Sequence, residues 1–437
     1  MDRAKLLKTD KWKPLRYHPV QAQLWDFRGR FACVVAGRRS GKTDICRKKL
    51  ILQLPIKKPW EDPEYYYVFP TREQAKRVVW YDFLRLIPSN WYDKKTGLNR
   101  SELSITTLFG SKLYIVGADK PHRLEGRPAD GVVIDESCDQ KPGLYGLTIV
   151  PMLTERNGWC YRIGVPKRFG VGRIEFRECY NKGMRGEDGI TSFFWKSSEI
   201  LTPEQIAEAK SQQSEVDFEE QFEAKWLDIG SSVYHAFHQK NITHENTNYN
   251  PVYPIHVGCD FNVNPMCWTL SHRINNKLFT FDELFIRNTH TQAVLDILYN
   301  KYHTHGAGWS FYGDASGRAR KTSSVVTDFL IIKNDARFGQ KQVYFPHKNP
   351  HIRDRFAAVN RAFKAADGTV SIFINPRCKH LINDFNTVSF IEGTSEVEDY
   401  DGTDIKHMSD SFGYKVYLLM PIRLERTEIP IVHSLAS

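Results

Sequence analysis

"VVAGRRSGKTDICRKKL", Val34 to Leu50, decides how the first half of this 437-residue chain reads. An apolar run, "FACVVAG" from Phe31, leads into a short glycine-bearing loop, and "GKTDICRKKLILQL" has the make-up of a helix. Strand, loop and helix in that order place free backbone N–H groups and a positive dipole end where phosphates can bind. The phosphate-loop pattern asks for Gly, four residues, then Gly-Lys-Ser/Thr. Gly41-Lys42-Thr43 is intact, but the first glycine is replaced by Ala36. Gly37, next to it, is expected to supply the backbone freedom that Ala36 lacks. Gly37, Arg38, Arg39, Ser40 and Gly41 would line the phosphates. Lys42 would reach the β- and γ-phosphates, and Thr43 would coordinate Mg²⁺.

A phosphate loop needs a carboxylate partner. "GVVIDES" offers one, with Val132 to Ile134 running into Asp135-Glu136. Asp135 at a buried strand end can hold Mg²⁺, and Glu136 can orient and deprotonate an attacking water. Alone, an apolar run ending in Asp-Glu is an ordinary strand exit. Downstream of this loop it points to ATP hydrolysis. In "RYHPVQAQLW", just upstream, Gln21 could read the adenine edge and Tyr17 could stack on the ring. A solvated turn fits those residues equally well.

Outward from the loop, short apolar runs alternate with helical patterns. "YYYVFPT", "KLYIVGA", "GVVIDES", "CYRIGVP" and "SFFWKSS" are strand-length, and "REQAKRVVWYDFLRLI" is a helix candidate. That rhythm predicts a mainly parallel sheet covered by helices. Near Leu201 it changes. "TPEQIAEAKSQQSEVDFEEQFEAKW" is polar and helical, with Thr202 as N-cap and Pro203 at the first position. The second half opens with "PIHVGCDFNVNP", "CWTLSHRI" and "KLFTFDELFI", three strands in quick succession with "NNK" as a tight turn. A helix "HTQAVLDILYNKY", strands "WSFYGDAS" and "QVYFPHK", and helices from His351 and from Met408 follow, which predicts a mixed α/β sheet. The expected domains are a P-loop ATPase over 1–200, a helical lid and linker over 201–250, a second α/β domain with a mixed sheet over 251–425 and a tail over 426–437.

Bulk composition agrees with two ordinary α/β domains. Hydrophobic residues are 41% and charged residues 26%, enough for two cores and too little charge for wholesale disorder. The net charge of +10 suits a protein that meets a polyanion, and equally a merely basic surface. The eight cysteines include no Cys-x-x-Cys pair, which argues against zinc and for reduced core thiols. The opening "MDRAKLLKTDKWKP" lacks the apolar core of a signal peptide, and no stretch nears the roughly 20 apolar residues of a membrane span. A soluble protein that stays where it is made is expected.

The second half carries its own acidic constellation. Asp260 ends "HVGCD", Asp314 follows "WSFYG", and Asp410 starts a helix in "HMSDSFGYKVY". Isolated aspartates at strand ends are usually turn residues. Three of them on this strand order fit the acidic cluster of an RNase H-like nuclease, which holds two Mg²⁺ or Mn²⁺ ions. Glu283 on the neighbouring strand could assist, and His407, three before Asp410, shares its helix face and could tune it. Asp404 is a rival third ligand. The basic runs "GRARK" at Gly317 and "HKNPHIRDR" at His347 read either as contacts to a nucleic-acid backbone or as solvated surface.

"AGRRSGKT", "VFPTREQAKRVVW", "RLEGRPADGVVIDES" and "IGVPKRFG", in this order, resemble the motor half of the large terminase subunit of tailed bacteriophages. The resemblance continues through "FEEQFEAKWLDIGSSVYHAF", "VGCDFNVNP" and "KHMSDSFGYKVY", and so covers nearly the whole chain. It accounts for Ala36, since a loop with arginine and without the first glycine is common in that family. It implies nucleotide-contacting roles for Arg38 and Gln21, and metal-holding roles for Asp260, Asp314 and Asp410. "GVP" at Gly164–Pro166 resembles the segment coupling hydrolysis to DNA movement, with Val165 where the family more often has a hydroxyl. Where the family often has an arginine finger, this chain has Glu125 flanked by Arg123 and Arg127, either of which could be the finger. The implied protein packages viral DNA: an ATPase that moves double-stranded DNA and a nuclease that cuts the concatemer, using ATP and Mg²⁺ or Mn²⁺. Its implied partners are double-stranded DNA, a small terminase subunit, the portal protein of the procapsid and further copies in a ring, in the host cytoplasm and away from membranes. Two other readings stay open: a helicase-like translocase whose second domain binds DNA without cutting it, and a scaffold that holds nucleotide structurally.

Overall fold

The computed structural model describes residues 18–422, apart from 122, 123, 125, 229, 319–325, 392, 393 and 395. Tyr17, Arg123, Glu125, Arg320, Lys321 and the tail from 426 on therefore lie outside the described residues. Two compact units emerge. One takes the described chain up to Ile206 with Asp217–Gly230 and Ile391–Glu396; the other takes Ala207–Val216, Ser231–Phe390 and the chain from Val397.

The first unit is built on an eight-stranded sheet. Its strands are β1 (Phe31–Ala36), β2 (Glu64–Phe69), β3 (Leu98–Asn99), β4 (Ser104–Thr106), β5 (Lys112–Gly117), β6 (Gly131–Ile134), β7 (Trp159–Gly164) and β8 (Ile190–Trp195). The order is β3-β4-β5-β2-β6-β7-β1-β8. Every pairing from β5 to β8 is parallel. The central strands are buried on both faces, so they read as unbroken apolar runs rather than alternating ones. Only β3 and β4, at one edge, pair antiparallel, and both are too short to stand out in the sequence. Helix α1 (Pro19–Asp26) precedes β1, and α2 (Lys42–Gln53) follows the loop after it.

A six-stranded mixed sheet forms the second unit. It contains β9 (Ile255–Asp260), β10 (Met266–Ile274), β11 (Lys277–Ile286), β12 (Trp309–Tyr312), β13 (Lys341–Tyr344) and β14 (Ile372–Ile374), in the order β13-β12-β9-β10-β11-β14. β9, β10 and β11 are antiparallel neighbours. The turn between β10 and β11 is Asn275-Asn276, both left-handed at φ 49° and 61°, which is the two-residue geometry asparagine tolerates. β12 runs parallel to β9, in register from Trp309 opposite Ile255 to Tyr312 opposite Gly258. Helices α3 (Thr291–Tyr302), α4 (Ile352–Phe363), α5 (Lys379–Thr387) and α6 (His407–Leu419) belong to this unit. The polar stretch after Leu201 forms two short helices, Pro203–Gln212 and Glu215–Gln221. Thr202 opens the first with a reciprocal cap, its hydroxyl accepting from Gln205 N and its own N donating to Gln205 Oε1.

No helix among the described residues is long and apolar enough to cross a membrane. All eight cysteines are buried and free.

Candidate functional site

Parallel strands aim their carboxyl ends at one edge, and that edge is where open α/β sheets bind ligands. In the first unit Val35 of β1 lies opposite Gly164 of β7, and Arg162 of β7 opposite Ile134 of β6. The loops after β1, β6 and β7 therefore leave together. The first bears Gly37–Gly41, the second Asp135-Glu136, the third Val165–Lys167.

The loop after β1 is held from several sides. Ser40 Oγ donates to Gly37 O at 2.6 Å, while Gln21 Nε2 and Trp195 Nε1 both donate to Ser40 O, at 2.6 and 3.0 Å. Arg38 donates to Gln221 Oε1 at 2.8 Å, and Ser197 Oγ donates to Arg38 O at 2.6 Å. Gly37 has no positive φ, so it does not supply the backbone freedom expected of it. Its role is space: a Cβ there would sit 2.2 Å from Ser197 Oγ and 2.4 Å from Phe222 O. The left-handed positions are Arg39 at φ 57° and Gly41 at φ 88°, the latter directly before α2. Ala36 is the buried last residue of β1, where a side chain packs and a glycine is not needed. Gln21 here supports the loop, and its amide is directed at Ser40 O.

Asp135 is 1% exposed and collects three donors: Thr43 Oγ1 at 2.9 Å, Tyr67 OH at 2.8 Å and Glu136 N at 2.8 Å. Burial, and then the Glu136 charge, raise its carboxyl above the usual range. Lys42 is buried, and burial lowers its ammonium against the opposing pull of Glu136 and Asp135. Glu136 sits at φ 49°, a left-handed backbone unusual for glutamate, which turns it out of the strand line. Its Oε2 accepts from Lys167 Nζ at 3.0 Å, and Lys167 also pairs with Asp139. Burial pushes Glu136 up, but Lys167 and Lys42 outweigh it and hold the carboxyl below its ordinary value. Glu136 is therefore held in its ionised form. Lys167 and Tyr67 were not among the residues picked from the sequence, although both lie inside quoted motifs. Arg127 is exposed, its guanidinium 5.3 Å from the centre of the Tyr114 ring.

The second unit repeats the edge logic. Tyr312 lies opposite Gly258, so Asp314, two residues beyond Tyr312, comes level with Asp260, two beyond Gly258. Asp410 arrives on the first turn of α6. Asp260 lies within electrostatic reach of the other two. Burial raises Asp260 to about 6, with Asp410 and Asp314 adding to the rise and His407 opposing it. Each also has its own partner. His407 Nδ1 is 3.3 Å from Asp260 Oδ2 and 2.7 Å from Asn262 Nδ2. Ser316 Oγ donates to Asp314 Oδ1 at 2.7 Å, and Arg355 Nη2 donates to Asp410 Oδ1 at 2.7 Å.

Glu283 points elsewhere: its two oxygens accept from His380 N and Leu381 N at 2.9 Å and cap α5. Asp404 pairs with Arg287. Of the basic runs, His347 and Lys348 are exposed, but Arg355 is 5% exposed and faces Asp410, so it is no surface contact to a nucleic-acid backbone. A further acid, Asp384, is 1% exposed and accepts from Ser409 N at 2.9 Å, and burial raises it to about 7. The donors suit a hard cation, being carboxylates at the mouth of a sheet. Among the described residues, however, no three His, Cys, Asp or Glu side chains are gathered into a ligand set. Two of the three aspartates instead face side-chain cations or imidazole.

Behind this cluster, fully buried Lys415 of α6 donates to Thr269 O at 3.1 Å, Thr269 Oγ1 at 3.0 Å and Ser271 Oγ at 2.7 Å, fastening α6 to β10. Burial pulls its ammonium down to about 7. A lysine depressed from its ordinary 10.5 opposes folding below pH 7, where the folded state must bury the charge, and stops doing so above about pH 10. Denaturant unfolding of Lys415→Met against the parent should show the variant's relative stability falling steadily from pH 7 to pH 10. A flat difference would place the ammonium in water.

No protein-family model matches the chain. It is 29% identical to the large terminase subunit of Thermus phage G20c over 217 residues, covering 43% of this chain and 41% of that protein. Against the large terminase subunit of Thermus virus P23-45 it is 28% identical over 217 residues, with the same coverage. The match spans about two fifths of these relatives' length. The large terminase of a thermophilic bacteriophage superposes with a TM-score of 0.58 over 92% of this chain and 99% of that one, at 13% identity. The chain has the fold of a phage large terminase. The complex of that same thermophilic-phage terminase with ATP-γ-S superposes over the same share, with a TM-score of 0.54 and 15% identity. Within the terminase fold, the parallel sheet of the first unit and the mixed sheet of the second are the two architectures expected from the sequence.

Proposed function

We propose that this chain is a viral DNA-packaging motor subunit. Residues 1–200 hydrolyse ATP to move double-stranded DNA into a procapsid, and residues 251–425 cut the concatemer as a metal-dependent endonuclease. The stretch 201–250 serves as lid and linker. The observation that carries the reading is the Thr43–Asp135 contact at 2.9 Å, with Glu136 N donating to the same carboxylate, because it joins the phosphate loop to an acid placed to activate water. Gly37 to Thr43 cradle the phosphates, with Lys42 supplying charge. Thr43 and Asp135 would hold Mg²⁺, two hard oxygen groups already in contact. Glu136 orients and deprotonates the attacking water.

In the second unit Asp260, Asp314 and Asp410 would hold Mg²⁺ or Mn²⁺. When bound, the metal supplies positive charge to the phosphodiester oxygens on which negative charge develops. His407 orients Asp260. Support for the role also comes from the relatives, which are named large terminase subunits. On this reading the partners are DNA, a small terminase subunit, the portal protein and sister copies in a ring that lend Arg123 or Arg127 as a finger, in the host cytoplasm. Incubating the purified chain with linear double-stranded DNA and Mn²⁺ tests the nuclease half. Cutting that disappears with a chelator is expected. ATP hydrolysis without any cutting would favour the helicase-like translocase.

A further inference from the structure

The carboxylate cluster contains a cation that the two proposed activities leave unused. Arg355 on α4 is 5% exposed, and its Nη2 meets Asp410 Oδ1 at 2.7 Å. The surroundings are shaped for it. Its guanidinium carbon lies 4.3 Å from the centre of the Tyr414 ring. Its stem crosses α6 at Gly413, where a Cβ would stand 3.1 Å from Arg355 Cδ and 3.2 Å from Cγ. Glycine inside a helix is less favourable than alanine, so the close passage is a reason for its presence. Yet the arginine is not fully spent. Nη1 is buried without a hydrogen-bond partner, so the grip on Asp410 uses one N–H rather than the two-pronged fork that makes arginine pairs strong.

A guanidinium keeps its charge at every pH the protein meets. Arg355 is thus a permanent positive charge set against Asp410. We propose that Arg355 is the resident counter-cation of this cluster, a positioning residue that holds Asp410 until a divalent metal takes its place. The inference rests on the nuclease reading of the three aspartates. It explains why the ligands are not gathered: Asp410 is turned to an internal cation. It also fixes a sign. A divalent ion bound at Asp410 would be repelled by a guanidinium left beside it, so removing that charge should strengthen metal binding.

The test is calorimetric titration of the full chain with Mn²⁺ alone, without nucleotide, for the parent, Arg355→Met, Arg355→Lys and Asp260→Asn. Arg355→Met should bind Mn²⁺ at least tenfold more tightly than the parent, and Arg355→Lys within about threefold of it, because lysine keeps the charge. A purely structural arginine predicts the reverse for Arg355→Met, a weakened site. Unchanged or weaker binding in folded Arg355→Met, while Asp260→Asn still removes the Mn²⁺ site, overturns the counter-cation and leaves the nuclease reading standing. If Asp260→Asn does not alter Mn²⁺ binding, both fall. Should Arg355→Met not fold by circular dichroism, Gly413→Ala decides: its methyl crowds the arginine stem, and tighter Mn²⁺ binding supports the proposal while unchanged binding overturns it.

Discussion

Glu136→Gln is expected to lower ATP turnover a hundredfold or more while ATP binding stays within about threefold of the parent. The magnitude is that of a lost general base, roughly 10²–10⁴ in rate. Glutamine keeps the length of the side chain and the left-handed turn at φ 49°, and loses only the basic oxygen. A second lysine constrains this base. Lys167 holds Glu136 Oε2 at 3.0 Å and so shares the carboxylate with any incoming water. If Glu136 is the base, its two oxygens must be divided between Lys167 and the water. Steady-state ATPase assays with a fluorescent-nucleotide titration check both halves. Turnover within a few-fold of the parent would remove Glu136 from the mechanism. Lys42→Ala is expected to behave differently: on the proposed reading it deletes a buried charge that meets the phosphates, so nucleotide affinity itself should fall.

How much of this was legible follows from where each signal is stored. β2 and β6 are buried on both faces, so their apolar runs announced parallel strands directly. The 2- and 3-residue strands β3 and β4 carry no period to detect, and β14 is only Ile372–Ile374. The aspartates at the ends of β9 and β12 were visible as acids terminating apolar runs. That they stand level is a fact of parallel register, which no local pattern encodes. Glu283 shows the converse: its position on β11 looked suitable, but the open N-terminus of α5 is what its oxygens serve. Arg355 sat inside a basic run that read as backbone contact or solvated surface, both exposed, since only packing against Gly413 and Asp410 reveals that it is buried. Gly37 failed in its mechanism rather than its importance. Sequence suggests torsional freedom for a glycine, whereas here Ser197 and Phe222 leave no room for a Cβ.

Asp260→Asn should abolish DNA cutting, by a hundredfold or more, and leave ATP hydrolysis within about twofold. The carboxylate ends β9 with a side chain only 13% exposed, and asparagine matches it in shape. A loss of cutting could also come from misfolding, and the pKa direction separates the two. Burial raises Asp260 to about 6, above its ordinary 3.8. A carboxyl raised on folding favours the folded state only while protonated, so its ionisation opposes folding as pH climbs through 6. A shift of about two units corresponds to roughly 2–3 kcal/mol at pH 8. Asparagine carries no such charge. Without metal, Asp260→Asn should therefore melt higher than the parent at pH 8 and at the same temperature near pH 4. With Mn²⁺ the order should reverse, because the parent gains binding energy that the variant cannot. A variant that is more stable without metal, inert toward DNA and still active on ATP would locate the defect in the carboxylate itself. A variant that melts lower at pH 8 would mean that Asp260 supports the fold, and its lost cutting would no longer speak for a metal site.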